Sequence, residues 1–360
     1  MSRKYILFLF VFIVGTGFAS SSTQAQDYSS QNLFYLVGSR ESYESFARNA
    51  DEISIVCPAV YRIDKYGVIS GFVDPRVLKI SREKGIKVMP LFASGDQSGI
   101  HELLNSVPAR VEAIRLMLFY ARQFSYYGWQ FDLENIHVTD RDSYTAFYRQ
   151  AADSLHKYGF KISMAIVKSD QPAPESGNPV FQGFRYENTR GAFDIPEIAK
   201  AGDFISFMTY DQHTGLTPPG PVAGMPWLRG MLDYLLRIGI PPNKISLGIP
   251  DYSDYWYPTW TEREGGHSTR REMSYADAQN LLDEFGAKED WMSDQEVNYA
   301  RWEEGGVFNW LFIEDARSFG PKLELAKSHK LLGVSVWLLG LEDPGIWKVL
   351  QKEVKTAHVE

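Results

Sequence analysis

Eight short apolar runs recur along the chain, at 33–37, 53–56, 87–91, 128–133, 161–166, 204–208, 244–249 and 333–337. Most of the intervals between them carry the punctuation of a helix. Asp74-Pro75 supplies a cap and a first helical residue for a helix ending near Gly85. Amphipathic or Gly-terminated stretches follow at 109–124, 142–158, 196–201, 226–237, 315–329 and 344–354. Strand and helix alternating eight times imply an α/β chain closed as a parallel (β/α)8 TIM barrel with an outer helical ring. The other way to arrange such units is an open doubly wound sheet, but no Gly-rich dinucleotide fingerprint follows the first run.

One interval breaks the rhythm. More than eighty residues separate Ile249 from Gly333. Within them 274–285 reads as a helix, and 299–302 with 307–312 reads as a hairpin around Glu304-Gly305-Gly306. A small α+β insertion after strand 7, about 251–312, is therefore expected. In a barrel it would form one wall of the face where the strands end.

The first 25 residues have the pattern of an export signal. Arg3 and Lys4 precede an apolar run at 6–14, and small or polar residues lead to Thr23-Gln24-Ala25, so 26–360 is the expected mature domain. The run is too short for a comfortable bilayer span, so no stable membrane span is expected once the signal is removed. The expected location is secreted or periplasmic, in the cell envelope. Cys57 is the lone cysteine and offers no internal disulfide. A net charge of −8, with no long basic run past the N-terminus, argues against nucleic acid as the partner. A monomer is the default. The 14% aromatic content suits a large core and also suits sugar stacking.

The fourth run carries the chemistry. In Gly128-Trp129-Gln130-Phe131-Asp132-Leu133-Glu134 the period of two puts Gln130, Asp132 and Glu134 on one face and Trp129, Phe131 and Leu133 on the other. Two acids aimed the same way at the end of a barrel strand repel each other, so the proton affinity of one should rise. That is what a general acid working near neutral pH requires. Acids two residues apart on one strand are badly placed to flank a glycosidic bond as acid and nucleophile, so Asp132 is better cast as a helper to Glu134.

These residues resemble glycoside hydrolase family 18, the chitinase family, whose fourth strand reads D-x-x-D-x-D-x-E. Asp132 and Glu134 match the last two acids and Gly128 matches a common glycine, whereas Tyr127 and Gln130 stand where the first two acids would be. Met208-Thr209-Tyr210-Asp211 resembles the family's M-x-Y-D, and Val334-Ser335-Val336-Trp337 its final strand with a terminal Trp. Pro58-Ala59-Val60-Tyr61, residues 312–318 and residues 339–343 are similar to the branch holding di-N-acetylchitobiases and spore-cortex lytic enzymes. The resemblance covers residues 33–347.

The resemblance implies a retaining hydrolase of β-linked N-acetylglucosamine glycans: chitin oligosaccharides, the chitobiose core of N-glycans, or peptidoglycan. Glu134 would be the general acid/base, and the substrate's own 2-acetamido group the nucleophile. Asp132 would orient that group, Tyr210 would hold its carbonyl end, and Asp211 and Met208 would contact the reacting sugar. Trp337 would be its apolar floor. Gln130, in place of an acid, would belong to the substrate-binding set and alter the charge setting of Asp132. No cofactor or metal is called for.

Several residues stay open. Tyr252, Tyr255, Trp256, Tyr257 and Trp260 either pack the insertion or stack on glycan. Glu314 with Asp315 either lines the cleft, or Asp315 caps the next helix. Arg62 is a lesser candidate. His137 and His213 lack metal-ligand spacing, and Cys57 reads as a small buried residue. The rival from another class is a glycan-binding protein on the same barrel without catalysis. Gln130 favours that reading and retention of Glu134 opposes it.

Overall fold

The computed structural model describes residues 28–168, 180–215, 217–258, 268–357 and 359. The expected signal at 1–25 and Trp260 lie outside them. Eight strands form the barrel: β1 (Ser29–Leu36), β2 (Ile55–Pro58, resumed at Tyr61–Ile63), β3 (Lys87–Val88, resumed at Leu91–Ser94), β4 (Gly128–Leu133), β5 (Lys161–Ile166), β6 (Phe204–Phe207), β7 (Ile245–Pro250) and β8 (Gly333–Trp337). Each pairs in parallel with the next, and β8 pairs with β1, so the ring closes. β3 is continuous across Met89-Pro90. Met89 N–H donates to Val56 O, and Pro90, which has no N–H of its own, accepts from Gln130 N–H.

The helices follow the expected punctuation with small shifts at their ends. Pro75–Lys84 is capped by Asp74. Val107–Phe124 starts two residues before its expected beginning, because Ser106 caps it and Pro108 fits the first turn, where no N–H is needed. Helices Arg40–Asn49 and Gln97–Asn105, not marked in the sequence reading, fill two further intervals. Among the described residues, no helix is long and apolar enough to cross a membrane.

The two faces of β4 part as the alternation requires. Trp129, Phe131 and Leu133 are fully buried against the helical ring, and Trp129 Nε1 donates to Met117 O on the helix outside it at 2.9 Å. Gly128 is required by close approach: a Cβ there would lie 2.0 Å from Lys161 O on β5. Between β7 and β8 the chain forms an antiparallel sheet of five strands, ordered Ser268–Met273, Ser253–Pro258, Val307–Ile313, Val297–Glu304, Glu289–Met292, with helix Tyr275–Phe285 against it.

Candidate active site

A cavity of about 310 Å³ opens at the carboxyl ends of β4, β5, β6 and β8. Asp132 and Glu134 reach it from β4. Glu134 N–H donates to Ser94 O at 3.0 Å, which carries the parallel pairing one step past the strand and fixes its direction. Asp132 Oδ1 is buried without a hydrogen-bond partner among the described residues. Burial raises the Asp132 carboxyl, the neighbouring Glu134 charge raises it further, and Arg62 opposes both. Glu134 is also raised, by burial first and then by Asp211, with Lys168 pulling the other way. Two acids with raised proton affinity in one cavity retain protons where free carboxyls would have lost them.

Met208, Tyr210 and Asp211 arrive from the end of β6. Gly248 makes room for them: a Cβ there would meet Phe207 O at 2.3 Å and the Tyr210 ring at 3.1 Å. Asp211 takes up the left-handed backbone region, φ +56°, which an aspartate tolerates better than most residues. Its Oδ1 accepts from Tyr252 Oη at 2.7 Å and from Arg270 Nη2 at 2.6 Å. Trp337 lines the cavity, half-buried and tilted against Tyr35 at 5.1 Å between ring centroids. The Trp337–Leu338 peptide is cis. Asp132, Glu134, Met208, Tyr210, Asp211 and Trp337 therefore share one cavity.

Two residues expected in the binding set stand elsewhere. Gln130 is fully buried inside the barrel, away from the cavity lining. Its Nε2 donates to Ser163 Oγ at 3.0 Å and Ser206 Oγ at 2.9 Å, and its Oε1 faces Cys57 Sγ at 3.6 Å. The chain of hydroxyls runs on through Ser335 to Ser246. Gln130 thus belongs to a neutral polar layer of the barrel interior. Glu314 is 3% exposed and does not line the cavity, because its carboxylate takes Ser318 Oγ and the fully buried Lys322 Nζ. Of the paired alternatives, Asp315 caps helix Ala316–Ser328 in a reciprocal capping box.

The aromatic cluster divides. Tyr252 lines the cavity, Trp256 is buried in the insertion, and Tyr255 stacks on Trp302 at 5.5 Å and packs against Tyr257. Arg62 is exposed and bonds Tyr61 O, and His137 and His213 bond Thr139 and Pro218 O. Among the described residues no group of His, Cys, Asp and Glu is arranged to hold a metal.

Sequence reasoning missed two cations at the cavity. Arg270, on the insertion's edge strand, bonds Asp211, Asp254 at 2.7 Å and Glu272 at 3.2 Å. Lys168 follows β5, and its Nζ donates to the carbonyl oxygens of Asp211 and Tyr210. Neither belongs to a local motif. Arg270 lies in a stretch with no apolar periodicity, and Lys168 follows an apolar run as any strand-end lysine could.

Comparison with known proteins adds to this geometry. The chain is 25% identical over 333 residues to the uncharacterized glycosylase YvbX of Bacillus subtilis (strain 168), covering 89% of this chain and 90% of YvbX. It is 29% identical over 252 residues to the cortical fragment-lytic enzyme of the same organism, covering 70% of this chain but 55% of that longer protein. A chitinase from Chromobacterium violaceum has the same fold, with a TM-score of 0.77 at 23% identity over 90% of this chain and 98% of that one. Residues 13–342 match the sequence profile described as Glycosyl hydrolases family 18, and with the barrel and its strand-end acids in place the chain belongs to that family.

Proposed function

We propose that this glycoside hydrolase is exported and cleaves β-linked N-acetylglucosamine glycans with retention, using the substrate's acetamido group as nucleophile. The observation that carries the reading is the division of labour among the cavity's carboxylates. Asp211 and Glu272 are both engaged by Arg270, and Tyr252 also holds Asp211, so neither is a free nucleophile. Asp132 has a buried oxygen with no partner among the described residues, a position that an acetamido N–H would satisfy. Glu134 remains the acid facing the same space.

In this reading Glu134 donates its proton to the glycosidic oxygen as that bond breaks. The acetamido carbonyl oxygen attacks the anomeric carbon and closes an oxazolinium ring. Asp132 accepts the acetamido N–H and stabilises the positive charge that builds there, while the Tyr210 hydroxyl donates to the carbonyl oxygen. Trp337 supports the apolar face of the sugar. Glu134, now ionised, removes a proton from the water that opens the ring, which restores the acid and returns the original anomeric configuration. The scheme differs from the two-carboxylate arrangement in that the protein supplies no nucleophile.

The names of the relatives, a cortical fragment-lytic enzyme and a chitinase, support a substrate of this class. Replacing Glu134→Gln removes the transferable proton and keeps the shape. Turnover of a chromogenic chitobiose glycoside should fall by roughly 10²–10⁴-fold. A variant as active as wild type, or a wild type that binds chitin, N-glycan and peptidoglycan fragments and cleaves none of them, would contradict the assignment.

A further inference from the structure

Lys168 lines the cavity and takes no part in the chemistry above. Its Nζ donates to Tyr210 O at 3.5 Å and to Asp211 O. An ammonium has three N–H donors. The third has no partner among the described residues, and neither contact it makes is to a carboxylate. Burial favours the neutral amine and brings the group down to about 8, and the charges of Arg185 and Arg270 act in the same direction. Asp211 and Glu134 act against them, so near neutral pH the ammonium is retained. The carboxylates opposite are committed elsewhere: Asp211 and Glu272 to Arg270, Glu134 to the proton it transfers, and Asp132 to the acetamido N–H of the reacting sugar. A partly desolvated cation with a spare donor in a binding cavity is stabilised when the bound ligand brings an anion. Chitin brings only hydroxyls and acetamides.

We infer that Lys168 is a specificity-determining residue that receives a carboxylate on the sugar next to the reacting one. The preferred glycan then alternates N-acetylglucosamine with a hexosamine carrying an ether-linked carboxyl group, as the glycan of peptidoglycan does. The reacting sugar is already taken up by Asp132, Tyr210 and Trp337, which places the carboxylate on its neighbour. Chemistry narrows the substrate further. A lactyl carboxyl still joined to a peptide through an amide is uncharged, so the matching strand is one whose peptides an amidase has already removed. The inference rests on the N-acetylglucosaminidase reading of the cavity.

The test compares three tetrasaccharides: one alternating N-acetylglucosamine and N-acetylmuramic acid with free carboxyls, the same chain with its carboxyls as methyl amides, and chitotetraose. Wild type should prefer the free acid to the amide in kcat/KM. Lys168→Met should cut that ratio by about tenfold or more, the size of a lost charge-assisted hydrogen bond, and Lys168→Arg should keep most of it. Equal use of acid and amide by wild type, or an equal fall on all three substrates in Lys168→Met, would overturn the inference. The same ratio measured as Kd on Glu134→Gln needs no turnover. Failure of hydrolysis would sink the enzymatic reading, and failure of the Kd ratio would sink this one.

Discussion

Asp132 and Glu134 stand two residues apart on one strand, and the structure separates their circumstances. Asp132 has a buried oxygen without a partner among the described residues, and Glu134 sits one step higher with Asp211 and Lys168 in electrostatic reach. Each charge disfavours the other's ionisation. The sign of a pH effect follows. A general acid works while protonated, so kcat/KM falls on the alkaline side as the pair gives up its proton, and the raised affinities put that limb above the ordinary carboxylate range near 4. Asp132→Asn removes the neighbouring charge, so Glu134 ionises more easily. The alkaline limb should then move to lower pH, with kcat down roughly a hundredfold or more for loss of the acetamide partner. A pH–rate profile checks both, and an unmoved limb would contradict the coupling. At this scale the sequence was informative because the period of two fixes which face each acid takes. Gln130 shows its limit. The face was legible, but depth along the barrel axis was not, and a residue two positions deeper belongs to the serine layer and not to the cavity.

At the scale of elements, the insertion does more than wall the cavity. Its edge strand carries Arg270, 13% exposed at the side chain, into contact with Asp211, with Glu272 and with Asp254, whose side chain is fully buried. Burial lifts Asp254 to about 7 even with Arg270 beside it. Arg270→Met would leave the buried Asp254 carboxylate unpaired, at a cost of about 3–5 kcal/mol, read as a fall of roughly 10 °C in Tm at pH 8. A carboxyl whose folded pKa is raised penalises folding above its unfolded value near 4, and the penalty shrinks as pH falls and the folded form takes up its proton. The Tm deficit should therefore narrow between pH 8 and pH 5. A deficit constant with pH would show that packing, not charge, holds Arg270. The insertion's helix and hairpin could be read from their turns and caps, but the approach of Arg270 to Asp211 depends on how the sheet folds back over the barrel. Glu314 failed for a related reason: the Lys322 that neutralises it stands on the following helix, and only the packed structure brings the two together.

The whole molecule gathers strand ends from distant parts of the chain into one cavity. The motif positions all stand at strand termini, where a barrel places its site, and the resemblance to the family supplied the roles that group them. Cavity charge was the part not legible, because Lys168 and Arg270 meet the acids only once the ring has closed. We propose that the nucleophile comes from the substrate. That origin is tested most directly by a series of aryl chitobiosides whose reacting sugar carries acetamido, trifluoroacetamido or free amino groups at C2. Substrate assistance predicts that kcat falls steeply as the carbonyl becomes less basic, and that the free amine is not cleaved. Comparable rates across the series, or robust cleavage of the amine, would contradict it and return the role of nucleophile to a protein carboxylate.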